Sequence, residues 1–349
     1  MKSLNKIIWF STLLLLLTNG CVSQSNLPVT QSLPEATLPL PTPTNVPLPK
    51  PSETNVPLPT PSETILPTEE PANTLFDDFN YSAQDEMTAN GWILRAQAGW
   101  PGVPGATFLP ENVSFVDDTQ VPTNRLLRMT SSTDGTSANT FQTQICHQRK
   151  YLEGTYAARV YFTNGPTSGP DGDQIVETFY AITPYEEALK PDFSETDFEY
   201  LPNGGWGFEP MTFMFTTWET VRIEPWLADN ASNTQTENME GWHTLVLQVK
   251  DGRARYFING ISTAEHSGNY YPDAPMSINF NLWFIDGGQI NSDQVRSYQE
   301  DIDWVYHEAG VILTPEQVNE KVQALREAGT KFQDTVPAWS PSFDSLCDL

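Results

Sequence analysis

Carboxylates occupy alternate positions of the chain at Glu195, Asp197 and Glu199. In a β-strand, successive side chains point to opposite faces, so these three would share one face. A row of like charges is poorly suited to a buried core or to a neutral sheet surface. It suits a cleft in which two carboxyl groups act on a bond and the third tunes their proton affinities. The simpler interpretation is a solvated strand face or a weak cation site.

A second informative segment covers residues 276–283, which alternate between an apolar face and a polar face. The polar face carries Asn279, Asn281 and Trp283. Amides can hydrogen-bond the hydroxyl groups of a sugar, and an indole can stack on its ring. We therefore predict these three residues as sugar contacts, although an ordinary half-exposed strand would show the same pattern. Further candidate stacking platforms are Trp206, Trp218 and Trp226.

The N-terminal segment is typical of an export signal. Lys2 and Lys6 precede an apolar run at 7–17, which is too short for an ordinary membrane-spanning helix. The run ends near Cys21, at a site that resembles the cleavage site of a bacterial lipoprotein. We expect residues 1–21 to be a signal peptide, with lipidation at Cys21 or cleavage without a lipid. Either outcome predicts an extracellular or cell-surface protein, whose only membrane contact would be the lipid.

Residues 22–74 are predicted to form a disordered, proline-rich linker. A ten-residue repeat occurs at 45–54 and again at 55–64, each copy with three prolines. Proline at this density removes backbone donors and favours an extended chain without a packed core. Such a linker would hold a domain away from a membrane, and a proline-rich ligand for another protein is the alternative interpretation.

The remaining residues are long enough for one large domain, which the frequent turns and β-branched residues predict to be all-β. A formal net charge of -26 argues against nucleic acid as a partner.

Cys146 and Cys347 could form a disulfide in an oxidising compartment. The histidines show no metal-ligand spacing, and no serine or cysteine nucleophile motif occurs, so the catalytic candidates are carboxylates.

A single helix is predicted near the C-terminus. Thr314 can cap it, Pro315 suits its first turn, and Gln317 completes a capping box. Apolar residues then recur at helical spacing until Gly329. We expect this helix to pack on the outside of the sheets, in a C-terminal segment at 311–349 that follows a β-domain at 75–310.

The carboxylate strand and its surroundings resemble glycoside hydrolase family 16, the group of laminarinases, lichenases and xyloglucan transglycosylases. The motif Glu195-x-Asp197-x-Glu199 matches the regular form of the family's signature strand. Other segments that resemble the family, in the same order, are 76–80, 153–160, 242–244, 256–260, 275–283 and 303–306. The resemblance covers about residues 75–307.

This resemblance implies a concanavalin A-like β-jelly-roll sandwich with a concave cleft, and a retaining double displacement. Glu195 would be the nucleophile, Glu199 the general acid/base, and Asp197 would lie between them and steer charge. A retaining pair needs carboxyl groups about 5–5.5 Å apart. We expect Glu199 to be the group that stays protonated near neutral pH.

The resemblance also bears on the other site residues. Relatives often present an asparagine near the scissile bond, and here Thr216, Thr217 or Trp218 would take that task. No cofactor is expected for catalysis. A structural calcium ion is frequent in the family, and Asp303 is the candidate ligand.

The leading hypothesis is a monomeric, exported endo-β-glucanase that cuts β-1,3 or mixed β-1,3/1,4 bonds of a polysaccharide. A transglycosylase is a close variant, since the same covalent intermediate can pass to another sugar. A lectin-like module that binds glycan without cutting it is the alternative from another class, and a polysaccharide lyase is disfavoured by the acidic balance. The loops at 164–173 and 229–240 are expected to decide which linkage is cut.

Overall fold

The computed structural model describes residues 73–344 and Cys347. The predicted signal peptide, Cys21 and the linker up to residue 72 therefore lie outside the described residues. The described part contains 17 β-strands and two α-helices. None of its helices is long and apolar enough to cross a membrane.

The strands are short and follow one another closely along the chain. They are β1 (Thr74–Asp77), β2 (Ile93–Leu94), β3 (Thr107–Phe108), β4 (Val113–Asp117), β5 (Arg125–Thr133), β6 (Phe141–Cys146), β7 (Gly154–Phe162), β8 (Ile175–Ile182), β9 (Glu195–Leu201), β10 (Thr212–Arg222), β11 (Leu227–Thr236), β12 (Gly241–Lys250), β13 (Arg253–Ile258), β14 (Ile261–Ser267), β15 (Ser277–Phe284), β16 (Arg296–Ala309) and β17 (Phe332–Asp334). The helices are α1 (Gln84–Ala89) and α2 (Pro315–Glu327).

Two antiparallel layers make up the fold. The cleft sheet has the order β2–β6–β15–β8–β9–β10–β11. The back sheet has the order β4–β5–β16–β7–β12–β13–β14, with β1 paired to the C-terminal part of β16. This arrangement confirms the predicted all-β jelly-roll sandwich.

The core lies between the two sheets and fixes the orientation of β9. Phe198 and Tyr200 are buried on the inner face of that strand. The ring of Phe198 lies 5.2 Å from Tyr256 of the back sheet and 5.9 Å from Phe215 of β10. Full burial of one such side chain contributes roughly 1.5–3 kcal/mol. Because side chains alternate along a strand, the carboxylates of β9 must point away from the core.

Helix α2 packs on the outer face of the back sheet, as the sequence predicts. Thr314 and Gln317 form the capping box, and Val318 and Val322 are buried in a cluster that includes Trp304. After the helix, β17 pairs with β1. The C-terminal segment is thereby joined to the sandwich by both packing and pairing.

Cys146 at the end of β6 and Cys347 form a disulfide, with 5.3 Å between their Cα atoms. The sequence left this pairing open. It attaches the C-terminal end of the described chain to an inner strand of the cleft sheet.

Candidate active site

The carboxylate strand β9 lies in the middle of the cleft sheet, between β8 and β10. Residues paired directly across antiparallel strands point to the same face. The pairs that contain the three acids are Glu195 with Ile182 and Trp218, Asp197 with Tyr180 and Thr216, and Glu199 with Thr178 and Met214. All three acids line a cavity of about 580 Å³ on the concave face.

Asp197 is held by two hydrogen bonds that differ in kind. Its Oδ2 atom accepts a hydrogen bond from the indole Nε1 of Trp218 at 2.7 Å. The Asp197 carboxyl also hydrogen-bonds Glu195, and this bond lowers the pKa of Glu195 while it raises that of Asp197. A hydrogen bond between two carboxyl groups needs a proton on one of them, so at least one of this pair is protonated while the bond is formed.

Burial dominates the proton affinities of the three acids. It raises the pKa of Glu199 to about 7. It also raises the pKa of Glu195 to about 8, with a further contribution from the charge of Glu199. Burial and the charges of both glutamates hold the pKa of Asp197 well above its usual range. Since the acids repel one another's charge, the set keeps at least one proton at neutral pH.

Tryptophans form most of the aromatic lining of the cavity. The predicted platforms Trp206, Trp218, Trp226 and Trp283 all line it. Trp100, from the loop between β2 and β3, lines it as well and was not predicted. No local signal distinguishes Trp100 in the sequence, because its place depends on a loop that returns over the sheet.

The two asparagines of β15 that were predicted as sugar contacts differ in their position relative to the cavity. Asn281 lines the cavity beside Thr178 of β8. Asn279 does not line it: the residue is fully buried, and its amide donates to Ser277 Oγ at 2.8 Å. It pairs with Cys146, where the disulfide attaches the C-terminal tail. The prediction of Asn279 as a sugar contact is therefore corrected.

Thr216 and Thr217 of β10 lie on opposite faces of the cleft sheet. Thr216 lines the cavity. Thr217 points into the core, where its hydroxyl lies 2.6 Å from Tyr256 Oη and 2.8 Å from His266 Nδ1. Thr216 and Trp218 thus remain candidates for the position next to the scissile bond, and Thr217 does not.

The segment predicted as a loop at 229–240 is largely strand β11, which extends the cleft sheet at its edge. Asn230 and Ser232 of this strand line the cavity. The sequence hid the strand because its polar residues lack an apolar alternation, which is expected for a half-exposed edge strand.

A buried arginine is connected to a neighbour of the acids through two hydrogen bonds. The Nη1 atom of Arg95 donates to Gln144 Oε1 at 2.7 Å, and Gln144 Nε2 donates to Tyr180 Oη at 2.8 Å. Tyr180 stands next to Asp197 in the sheet. Among the described residues, no lysine or arginine lines the cavity. The cleft surface therefore suits an uncharged ligand rather than an anionic one.

The candidate calcium ligand Asp303 is surrounded by positively charged side chains. Its carboxylate accepts hydrogen bonds from Arg159, Arg326 and Asn124, each at 2.7 Å. Burial alone would raise the pKa of Asp303, but these donors hold it below its usual range. Two guanidinium groups would repel a divalent cation, so Asp303 does not fit a calcium site. In the described part of the chain, no group of three acidic, histidine or cysteine residues is placed to hold a metal ion.

The fold of this chain is similar to that of solved structures described as glucanases and laminarinases. No family model matches this chain, and no curated protein sequence matches it. The GH16 protein of a mixed-linkage glucan locus of Bacteroides ovatus, solved with a G4G4G3G product, is 16% identical, with a TM-score of 0.51 over 66% of this chain and 98% of that chain.

Two further structures align with slightly lower scores. The Bacillus licheniformis β-glucanase is 15% identical, with a TM-score of 0.49 over 68% of this chain and 99% of that chain. The laminarinase of Flavobacterium sp. UMI-01 is 15% identical, with a TM-score of 0.47 over 67% of this chain and 98% of that chain. At 16% identity the likeness to the Bacteroides ovatus protein shows the fold alone, and this is the fold that the family resemblance implies.

Proposed function

We propose that this chain is a retaining glycoside hydrolase of family 16 that cleaves a β-1,3 or mixed β-1,3/1,4 glucan. The observation that carries the proposal is the placement of Glu195, Asp197 and Glu199 on one strand face, inside a cleft lined by tryptophans. The shared fold with the Bacteroides ovatus protein supports it. Internal cleavage and action on a long polysaccharide are part of the proposal, as the family resemblance implies.

The reaction needs opposite protonation states in the two glutamates. The Glu195 carboxylate attacks the anomeric carbon while the Glu199 carboxylic acid gives its proton to the leaving oxygen. A glycosyl ester on Glu195 forms and the glycosidic bond breaks. Glu199, now ionised, then takes a proton from water, and the resulting hydroxide oxygen displaces Glu195. The proton taken from water restores the Glu199 carboxylic acid, Glu195 leaves as its carboxylate, and the anomeric configuration is retained.

Asp197 favours the protonation state that the first step requires. Its hydrogen bond to Glu195 stabilises the ionised nucleophile, which burial and the nearby Glu199 otherwise disfavour. Trp218 donates to the Oδ2 atom of Asp197 and so holds this carboxyl in place. Asp197 therefore acts as a positioning and charge-tuning residue.

The test is reducing-sugar release by the full-length protein from laminarin, barley mixed-linkage glucan, xyloglucan and agarose. Glu195→Gln keeps the shape of the nucleophile without its charge, and Glu320→Gln on the exposed face of α2 is the matched control. We expect release from one or both β-glucans, a loss of about 10³-fold or more in Glu195→Gln, and no change in Glu320→Gln.

Chemical rescue separates the roles of the two glutamates. Azide added to Glu195→Ala should give a glycosyl azide of inverted configuration, because the anion attacks in place of the missing nucleophile. Azide added to Glu199→Ala should give one of retained configuration.

No release of reducing sugar from any polymer, with glycan binding intact, would instead indicate a glycan-binding module. Transfer to an added oligosaccharide in preference to water would indicate a transglycosylase.

The cellular setting is also a proposal. Export, attachment to a bacterial membrane through a lipid on Cys21, and a monomeric state are inferred from the sequence. Globomycin-sensitive processing of the chain tests the lipid, and Cys21→Ala is the matched variant.

A further inference from the structure

Four tryptophans form a continuous series of ring contacts across the cleft, which we call the tryptophan arch. Trp283 and Trp100 have ring centroids 6.3 Å apart. Trp100 and Trp226 are 6.2 Å apart, as are Trp226 and Trp218. These separations lie within the range of favourable aromatic pairs.

The two ends of the arch stand on different strands of the cleft sheet. Trp283 belongs to β15 and Trp218 to β10, and the strands between them are β8 and β9. Three strand spacings correspond to about 14 Å. Trp100 and Trp226 come from loops rather than from the sheet, and they close this gap. The arch therefore passes over β9 and its catalytic acids.

The Trp100 side of the arch is firmly held. Arg95, which is 1% exposed, donates through Nη2 to the carbonyl of Trp100 at 3.0 Å and through Nε to the carbonyl of Gln97 at 3.0 Å. A Cβ atom at Gly102 would lie 2.2 Å from Gln142 Oε1, so the loop is packed against β6 with no space for a side chain.

The Trp226 side of the arch is more exposed to solvent. Trp226 lies in the turn between β10 and β11 and is 55% exposed. An exposed side chain changes rotamer within nanoseconds, which is fast compared with turnover. The arch thus joins a ring on a packed loop to a ring that is more than half exposed.

We propose that Trp226 closes against Trp100 over a bound glycan, and that this closure selects sugar units without side branches at the positions next to the catalytic acids. This inference rests on the proposed function, in which the cleft binds a glucan. An unbranched chain enters when the Trp226 ring swings away, and the ring then returns to cover it. A branch on the covered unit occupies the space of the ring and prevents closure.

The experiment measures binding rather than turnover, in the full-length Glu195→Gln protein. Calorimetry compares laminaritetraose with the same chain carrying one β-1,6-linked glucose, and cellotetraose with its xylosylated counterpart. The second protein adds Trp226→Ala, which opens the arch at its exposed side. The third adds Trp339→Ala, a matched loss of one half-exposed tryptophan outside the cleft.

With the arch intact, we expect the unbranched ligand to bind about tenfold or more tightly than its branched counterpart. Trp226→Ala should reduce that affinity ratio to near one, because the unbranched ligand would bind more weakly and the branched ligand would be admitted. Trp339→Ala should leave the ratio unchanged. An equal ratio in the intact and Trp226→Ala proteins would overturn the arch proposal and leave the glucanase proposal standing. Failure of every glucan ligand to bind would overturn both.

Discussion

Asp197 is the residue that tunes the two glutamates of this cleft, although it does not bond to the substrate in the proposed reaction. One of its oxygens accepts from Trp218, and the carboxyl also hydrogen-bonds Glu195. An asparagine can reproduce both contacts, since its amide oxygen accepts and its amide nitrogen donates. An alanine can reproduce neither.

We therefore expect Asp197→Asn to retain more activity than Asp197→Ala, by about 10²-fold in kcat. The reason is that the asparagine still stabilises the ionised nucleophile by a hydrogen bond. Steady-state kinetics on a soluble β-glucan, with melting temperatures to confirm folding, provides the measurement. Equal losses in the two variants would contradict the role of Asp197 as a donor.

The pH dependence follows from the raised pKa values of both glutamates. Glu199 must carry a proton, and its pKa of about 7 means that the required proton is lost as pH rises above that value. Glu195 must be ionised, and its pKa of about 8 means that the required charge is lost as pH falls below it. We expect a narrow bell in kcat/KM, centred between the two values.

The alkaline limb of that bell can be assigned by substitution. Glu199→Gln should still cleave a dinitrophenyl glycoside, whose leaving group needs no proton, and its profile should lack the decline at high pH. A decline that persists in Glu199→Gln would show that another group controls the alkaline limb.

At the scale of the elements, Asp303 attaches helix α2 to the back sheet. Arg326 of the helix and Arg159 of β7 both donate to this carboxylate, which is 2% exposed at its side chain. Because its pKa is lowered in the folded state, its contribution to stability is present above its ordinary value of 3.8 and is lost as pH falls through the lowered value.

We expect Asp303→Asn to lower the free energy of unfolding by about 2 kcal/mol at neutral pH, because it leaves two guanidinium groups without their charge partner. The loss should be the same in EDTA and in calcium chloride, as measured by denaturant titration. A loss that appears only in calcium would restore Asp303 as a metal ligand. Calcium at another position stays a prediction, which the same titration of the unsubstituted protein tests.

The elements were predictable to the extent that their apolar residues alternate. The alternating segment at 276–283 forms strand β15 (Ser277–Phe284), and the helix begins at Pro315 as its capping box predicts. Strand β11 was not predicted, because an edge strand with polar residues on both faces has the composition of a loop. Asn279 has the right alternation for the cleft, but it is fully buried where it pairs with Cys146, which forms the disulfide with Cys347.

At the scale of the whole molecule, the disulfide between Cys146 and Cys347 spans 201 residues. A cross-link of this length restricts the unfolded chain and typically stabilises a domain by about 2–5 kcal/mol. We expect the double variant Cys146→Ala/Cys347→Ala to melt at a lower temperature than the oxidised protein, with kcat little changed because neither cysteine lines the cleft. An unchanged melting temperature would contradict a stabilising role for the tail.

Long-range arrangement also marks the limit of what the sequence could predict. The three acids could be placed on one face because they are neighbours on a single strand. Trp100 and Trp226 are separated by more than a hundred residues, and only the fold brings their rings together. The fold also brings Arg95 and Gln144 together, and their contact supports the loop that carries Trp100.

The alternation of β9 has a consequence for folding. If the strand slipped by one residue against its neighbours, every side chain would change faces. The three acids would enter an aromatic core, and Phe198 and Tyr200 would be exposed in the cleft. Such a state would be heavily penalised, since buried carboxyl groups without partners cost several kcal/mol. The residues that we assign to chemistry thus also ensure that the strand pairs in only one register.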